Sequence, residues 1–119
     1  MFYDSKEVMY ISLHRYNNGT FYPCSQDADA NKVGSGNGTG YNINIAFNTQ
    51  ANEKTGHRPK IGDSEYTHAF DTIITPVLTA YQPQLILVSA GFDCAEGDPL
   101  YDLQSSQTDS HCYSRGRWL

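Results

Sequence analysis

A strand-length run that is apolar at nearly every position leaves no face for water. This chain has two of them, Val8-Met9-Tyr10-Ile11-Ser12-Leu13 and Leu85-Ile86-Leu87-Val88. Such runs fit strands buried on both faces, as in a parallel sheet. Just before the second run, Tyr66, Phe70, Ile73, Ile74, Val77, Leu78 and Tyr81 share one helical face. Asp63 suits the N-cap, Glu65 suits the first turn, and Gly62 precedes both. Pro76 falls inside this pattern, where a regular helix interior would lose about 3 kcal/mol. The apolar face continues past it, so the expectation is a kink and not a stop. Gln82-Pro83 ends the helix. Helix, tight proline turn and buried strand make half of a right-handed βαβ unit.

Between these elements lies a weaker strand. Ile43, Ile45 and Phe47 alternate with Asn42, Asn44 and Ala46, a period-2 pattern with one polar face. Residues 15–40 and 48–62 are rich in Asn, Gly and Pro and read as loops. The expected class is α/β, with three strands and one good helix. One helix cannot cover both faces of a parallel sheet, so the chain reads as an incomplete piece of a domain. From Tyr101 onward the patterning dissolves into Ser, Gln, Asp and Thr.

Charge and cysteine content exclude several functions. The 119 residues carry a net charge of -5 and no basic stripe, against general binding to nucleic acid or an anionic membrane. No apolar run approaches the roughly 18–20 residues that span a bilayer. Met1-Phe2-Tyr3-Asp4-Ser5-Lys6-Glu7 has no basic stretch followed by an apolar one, so no signal peptide is expected. Cys24, Cys94 and Cys112 are odd in number and widely spaced, which supports neither a zinc ribbon nor a disulfide scaffold. Reduced thiols and an intracellular, non-secreted protein are the expectation, with the Asn18 and Asn37 sequons read as loop sequence.

Asp93 is the first candidate for chemistry. It follows the carboxyl end of the second apolar run, the position where open α/β sheets place ligands. With Glu96 and Asp98 it gathers carboxylates that suit a divalent cation. The alternative is a loop aspartate capping its own turn, and spacing alone favours that somewhat. Residues 34–40 alternate glycine with Ser35, Asn37 and Thr39, but a strand and not a helix follows, so a structural turn is the better reading. His14 ends the first run and reads as a satisfied structural residue. His57, His68 and His111 show no ligand spacing. Phe21 and Tyr22 form an apolar knob in a polar loop, equally suited to lining a slot or packing on the sheet.

Taken together, the order of these segments resembles class II histone deacetylases. The resemblance rests on Tyr10-Ile11-Ser12-Leu13-His14-Arg15-Tyr16, Asn18-Gly19-Thr20-Phe21-Tyr22-Pro23, Gly34-Ser35-Gly36 and Gly40-Tyr41-Asn42-Ile43-Asn44. Gly62-Asp63-Ser64-Glu65-Tyr66, Pro76 and Leu87-Val88-Ser89-Ala90-Gly91-Phe92-Asp93 continue it, and Glu96-Gly97-Asp98-Pro99 looks closer to class IIb than to class IIa. It covers residues 1–100 as the central part of the catalytic domain, with 101–119 a divergent, irregular tail.

The resemblance implies the arginase/deacetylase fold, a central parallel sheet flanked by helices, and hydrolysis of acetyl-lysine by a zinc-activated water. It makes Asp93 a zinc ligand and sets Tyr22 where the family has a Phe walling the acetyl-lysine channel. The added hydroxyl narrows or polarises that wall. Ser12 and Leu13 match a potassium site beside the zinc, and Phe2, Ser5, Val8 and Tyr41 resemble a second potassium site. The family's other two zinc ligands and its general-base histidines belong to stretches upstream of Met1. About three protein ligands hold a catalytic zinc, so the isolated chain is expected to be inactive. The full protein would act on acetylated histones or other acetyl-lysine proteins in the nucleus or cytoplasm. The alternative is a non-catalytic interaction module or a truncated relic.

Overall fold

Tyr10–Arg15 forms strand β1 and Asn42–Phe47 forms strand β2. They pair in parallel, in a register that sets Tyr10 against Asn42, Ser12 against Asn44 and Arg15 against Phe47. The computed structural model describes residues 1–57 and 59–91. The chain divides into two units, Met1–Gln82 and a second that starts at Pro83. Asp93, Glu96, Asp98, His111 and the expected tail 101–119 lie outside the described residues.

Alternation along both strands gives the pair two unlike faces. Ser12 and His14 share one face with Asn42 and Asn44, while Leu13 shares the other with Ile45 and Phe47. The apolar face meets the helical segment. Ile45 and Phe47 line a cavity of about 370 Å³ together with Ile61, His68, Ala69 and Ile73. The Phe47 and Tyr66 rings lie 5.7 Å apart. The polar face holds the loop between the strands. Asn44 is only 8% exposed. Its side-chain N–H group donates to the Asp27 and Asp29 carbonyls at 3.1 and 3.0 Å. Asn42 donates to the Lys32 carbonyl at 2.6 Å. Loop backbone groups must be paired if they are covered, and these asparagines supply the partners.

The helical segment comprises α1, Asp63–Ala69, a π turn over Phe70–Ile74, and α2, Thr75–Tyr81. Gly62, not Asp63, is the N-cap, and its N–H donates to the Glu65 carboxylate at 2.8 Å. That bond, followed by the Ser64 hydroxyl, holds the Glu65 carboxyl below the usual range. Immediately before Pro76 the helix widens into the π turn, so it continues past the proline as expected. Proline has no N–H and its ring crowds the carbonyl four residues back. Here the Thr75 N–H, next to the proline, bonds the Phe70 carbonyl five residues back in place of that of Asp71. Widening the turn re-phases the helix. Ala69 and Ile74 are buried, five residues apart, while Phe70 and Ile73, expected on the inner face, are 49% and 37% exposed. Gln82 closes α2 in the left-handed region, φ 53°, directly before Pro83.

In the second unit, residues 85–88 form no ladder among the described residues, against the strand expected there. Leu85, Ile86, Leu87 and Val88 are 73%, 57%, 86% and 79% exposed. A strand exists only through hydrogen bonds to a neighbour, and apolar composition alone supplies none. The partial α/β arrangement therefore resides in the first unit, a parallel pair with one helical segment beside it. Among the described residues no helix is long and apolar enough to cross a membrane.

Candidate functional site

The carboxyl ends of parallel strands point the same way, and ligands of open α/β sheets gather beyond them. Here two loops leave that edge, one after Arg15 and one after Phe47. They are laced together. Asn17 is 4% exposed in a left-handed conformation, φ 50°. Its Oδ1 accepts the Thr49 N–H at 2.7 Å and the Thr49 hydroxyl at 3.3 Å. The Asn17 carbonyl accepts from the Thr20 hydroxyl at 2.7 Å and from Gln50 Nε2 at 3.2 Å. Gln50 Nε2 also donates to Thr20 Oγ1 at 2.8 Å, and the Asn18 N–H donates to Asn48 Oδ1 at 2.9 Å.

Phe21 and Tyr22 follow directly on this knot, and the Tyr22–Pro23 peptide is cis. The Arg15 guanidinium stands over the Phe21 ring at 4.6 Å. Phe21 and Tyr22 line a cavity of about 560 Å³ over the polar face of the sheet, with Ser12, His14, Asn42 and Asn44. Tyr22 borders this cavity and is 46% exposed.

His14 is tied at both nitrogens. Nδ1 lies 2.8 Å from Ser12 Oγ and Nε2 lies 2.8 Å from the Ala28 carbonyl. A carbonyl only accepts, so Nε2 carries the proton and Nδ1 accepts from the serine. This is the satisfied structural histidine expected from the sequence. Tyr16, 5% exposed, has its hydroxyl 2.9 Å from both Gln26 Oε1 and Asp29 Oδ2. Desolvation, then the Asp29 carboxylate, raises the Tyr16 phenol above its ordinary range. The Asn31 N–H, then the Tyr16 hydroxyl, holds Asp29 low.

The remaining sequence candidates fall in three places. Ser12 and Leu13 sit side by side on β1 with side chains on opposite faces. Phe2, Ser5 and Val8 precede β1, and the Ser5 N–H donates to the Phe2 carbonyl at 3.1 Å. Tyr41 comes close to this stretch through a chain of contacts. Its ring meets that of Tyr81 at 5.8 Å, and the Tyr81 hydroxyl donates to the Lys6 carbonyl at 3.3 Å. Residues 34–40 are a structural turn, as expected. Gly34 has φ 97°, and a Cβ on Gly38 would stand 2.6 Å from the Tyr3 carbonyl oxygen. His57 and His68 are exposed and neither lines the 560 Å³ cavity, while His68 borders the smaller one beneath the helical segment. Cys24 Sγ lies 3.5 Å from the Thr20 carbonyl.

Sequence reasoning missed Asn17, Asn44, Thr49 and Gln50. Asn17-Asn18-Gly19 was legible as a turn, and a turn signal does not say that its side chain is buried.

A parallel pair with a cavity over one face and a helical segment against the other is a partial α/β arrangement. Comparison with known proteins sharpens the class. Residues 1–115 match the model of the histone deacetylase domain, and the chain belongs to that family. It is 49% identical over 96 residues to human histone deacetylase 9, with 81% of this chain and 9% of that protein covered. It is 44% identical over 97 residues to histone deacetylase HDA1 of Candida albicans, with 82% and 11% covered. Among solved structures, that of the histone deacetylase Clr3 superposes with a TM-score of 0.72 at 40% identity, covering 82% of this chain and 15% of that one. The chain thus spans about a tenth of the length of these curated relatives.

Proposed function

We propose that the chain is the central segment of a zinc-dependent lysine deacetylase domain of the arginase/deacetylase fold, nearest class IIb. Residues 1–100 carry this segment and 101–119 diverge from it. The whole protein, nuclear or cytoplasmic, hydrolyses the amide of acetyl-lysine on histones or other acetylated proteins. The observation that carries this reading is the 49% identity, over 96 residues, to a relative named histone deacetylase. The cavity that Tyr22 lines supports a role for that residue beside the acetyl-lysine chain.

Zinc, when bound, would activate the attacking water, with Asp93 among its ligands. Among the described residues no three His, Cys, Asp or Glu side chains gather to hold a metal. A catalytic zinc takes about three protein ligands, so these residues alone do not fit the ion. The isolated chain is inactive in this reading, and no step is routed through the metal. Potassium takes oxygen donors. Ser12 and Leu13 on β1 offer a hydroxyl and carbonyls, and Phe2, Ser5, Val8 and Tyr41 offer carbonyls for a second ion.

The test is a transplant. Residues 1–100 replace the matching stretch of Candida HDA1, and deacetylation of an acetyl-lysine peptide is measured. The expected result is an active chimera whose activity and zinc content both vanish in Asp93→Asn. A folded chimera no more active than its segment-deleted control would remove the reading.

A second reading, a non-catalytic interaction module, is favoured by the exposed apolar side chains at residues 85–88. It requires the isolated chain to unfold in one cooperative transition. An aggregated or non-cooperative product would sink it.

A further inference from the structure

We infer that Asn17 is a positioning residue: its side-chain carbonyl ties the loop after β2 to the loop after β1 and so fixes where Phe21 and Tyr22 stand in the cavity wall. This inference rests on the deacetylase reading of that cavity.

Three observations carry it. First, Asn17 is 4% exposed although it opens a three-residue 3-10 turn between the strands. Its Oδ1 accepts two donors from Thr49, the backbone N–H at 2.7 Å and the hydroxyl at 3.3 Å. A covered acceptor with two partners is costly to remove, because the donors are then left unmatched. Second, Asn17 holds φ 50°, a region that Gly, Asn and Asp enter more readily than other residues. Third, the knot continues into the aromatic knob with no slack. Thr20 is bonded to the Asn17 carbonyl and to Gln50, and Phe21 is the next residue, its N–H donating to the Tyr16 carbonyl at 3.2 Å. Moving Thr49 away from Asn17 therefore frees the segment that sets Tyr22.

The chemistry separates side chain from backbone. Asn17→Asp keeps the acceptor and tolerates φ 50°. Asn17→Gly tolerates φ 50° but has no acceptor. In the 119-residue chain, amide exchange at Thr49 is expected to quicken about fivefold to tenfold in Asn17→Gly, the effect of one lost net hydrogen bond. The Tyr22 ring resonances should shift with it, and Asn17→Asp should restore both. Unchanged Thr49 protection in Asn17→Gly, or an Asn17→Asp variant as altered as the glycine one, overturns the inference.

In the Candida chimera, Asn17→Gly is expected to raise KM for the acetylated peptide about tenfold with kcat little changed, the mark of lost positioning in the ground state. A fall in kcat at constant KM overturns it as well. A chimera inactive with Asn17 intact defeats the deacetylase reading instead, and the exchange measurement on the chain then decides the tether by itself.

Discussion

Residues 16–41 and residues 85–88 invert the usual link between composition and order. The first stretch is polar, with Asn, Gly and Ser throughout, yet it is held at many points. The Asn17 side chain, Asn42 and Asn44 all bond to backbone groups within or beside it. The second stretch is wholly aliphatic and stands in solvent, each side chain more than half exposed. Polar loops find partners locally, because amide side chains reach nearby carbonyls and N–H groups. A buried strand borrows its order from neighbours on both sides and both faces. Among the described residues, the polar loop thus finds its partners locally while residues 85–88 pair with no strand.

The sharpest way to break this contrast is to supply the neighbours. Leu87→Lys should leave the urea midpoint of the 119-residue chain unchanged, because Leu87 is 86% exposed. In the Candida chimera, where the deacetylase reading packs this strand between others, the same change should cost upwards of about 3 kcal/mol. Equal midpoints in the two settings would show that residues 85–88 never join a sheet.

A smaller effect is expected from the loop. Asn44→Val keeps a strand-forming residue but strands the carbonyls of Asp27 and Asp29, which Asn44 now satisfies. The loss should be about 1–3 kcal/mol by chemical denaturation, with faster amide exchange over residues 25–32. A valine variant as stable as the parent would mean that water replaces the asparagine without loss.

Smaller again is a pH effect confined to the loop. Asp29 is held low in the folded chain, so its contribution is present above the unfolded carboxyl's value of about 4. It fades as pH falls through the folded value. The Tyr16 phenol is raised, so its contribution is present below about pH 10 and fades as pH rises through the folded value. Exchange protection of the loop should therefore fall off at both extremes. Residues 83–91 contain no titratable side chain and should show only the intrinsic pH dependence of exchange. Flat protection of the loop would dissolve this part of the contrast.

The smallest effect belongs to Glu65→Gln. The carboxylate accepts from the exposed helix start and is held low there. Its contribution is present above the unfolded glutamate value, about 4.3, and is lost as pH falls through the folded one. Thermal melts at neutral pH should show a slightly lower midpoint for the variant, and the difference should vanish in acid.

What the sequence made legible follows the same physics. Strand β2 was readable to the residue because alternation is a local signal, and the helix was readable because seven apolar positions repeat at one period. Strand β1 was readable but two residues out, since its limits come from pairing with Asn42–Phe47 and not from its own composition. The polar face of β2 was readable but not what it faces: an asparagine facing solvent and one facing a loop backbone look identical in sequence. His14 stood out because it ends the first apolar run, and Tyr22 because it is an aromatic in a polar loop, its role resting on the resemblance. Asn17 was not, because burial of a turn residue depends on Thr49, which is far off along the chain. Asp93 lies outside the described residues, and its role rests on the resemblance.

The π turn over Phe70–Ile74 also has a meaning for length. It accommodates one more residue between Ala69 and Ile74 than an ordinary turn would, leaving both helical ends where their neighbours need them. Deleting a single residue there would close the backbone into a regular helix around Pro76, at the cost of about 3 kcal/mol that a proline in a helix interior carries. Adding one should displace every side chain beyond it. The segment is thus intolerant of drift in its own length in either direction.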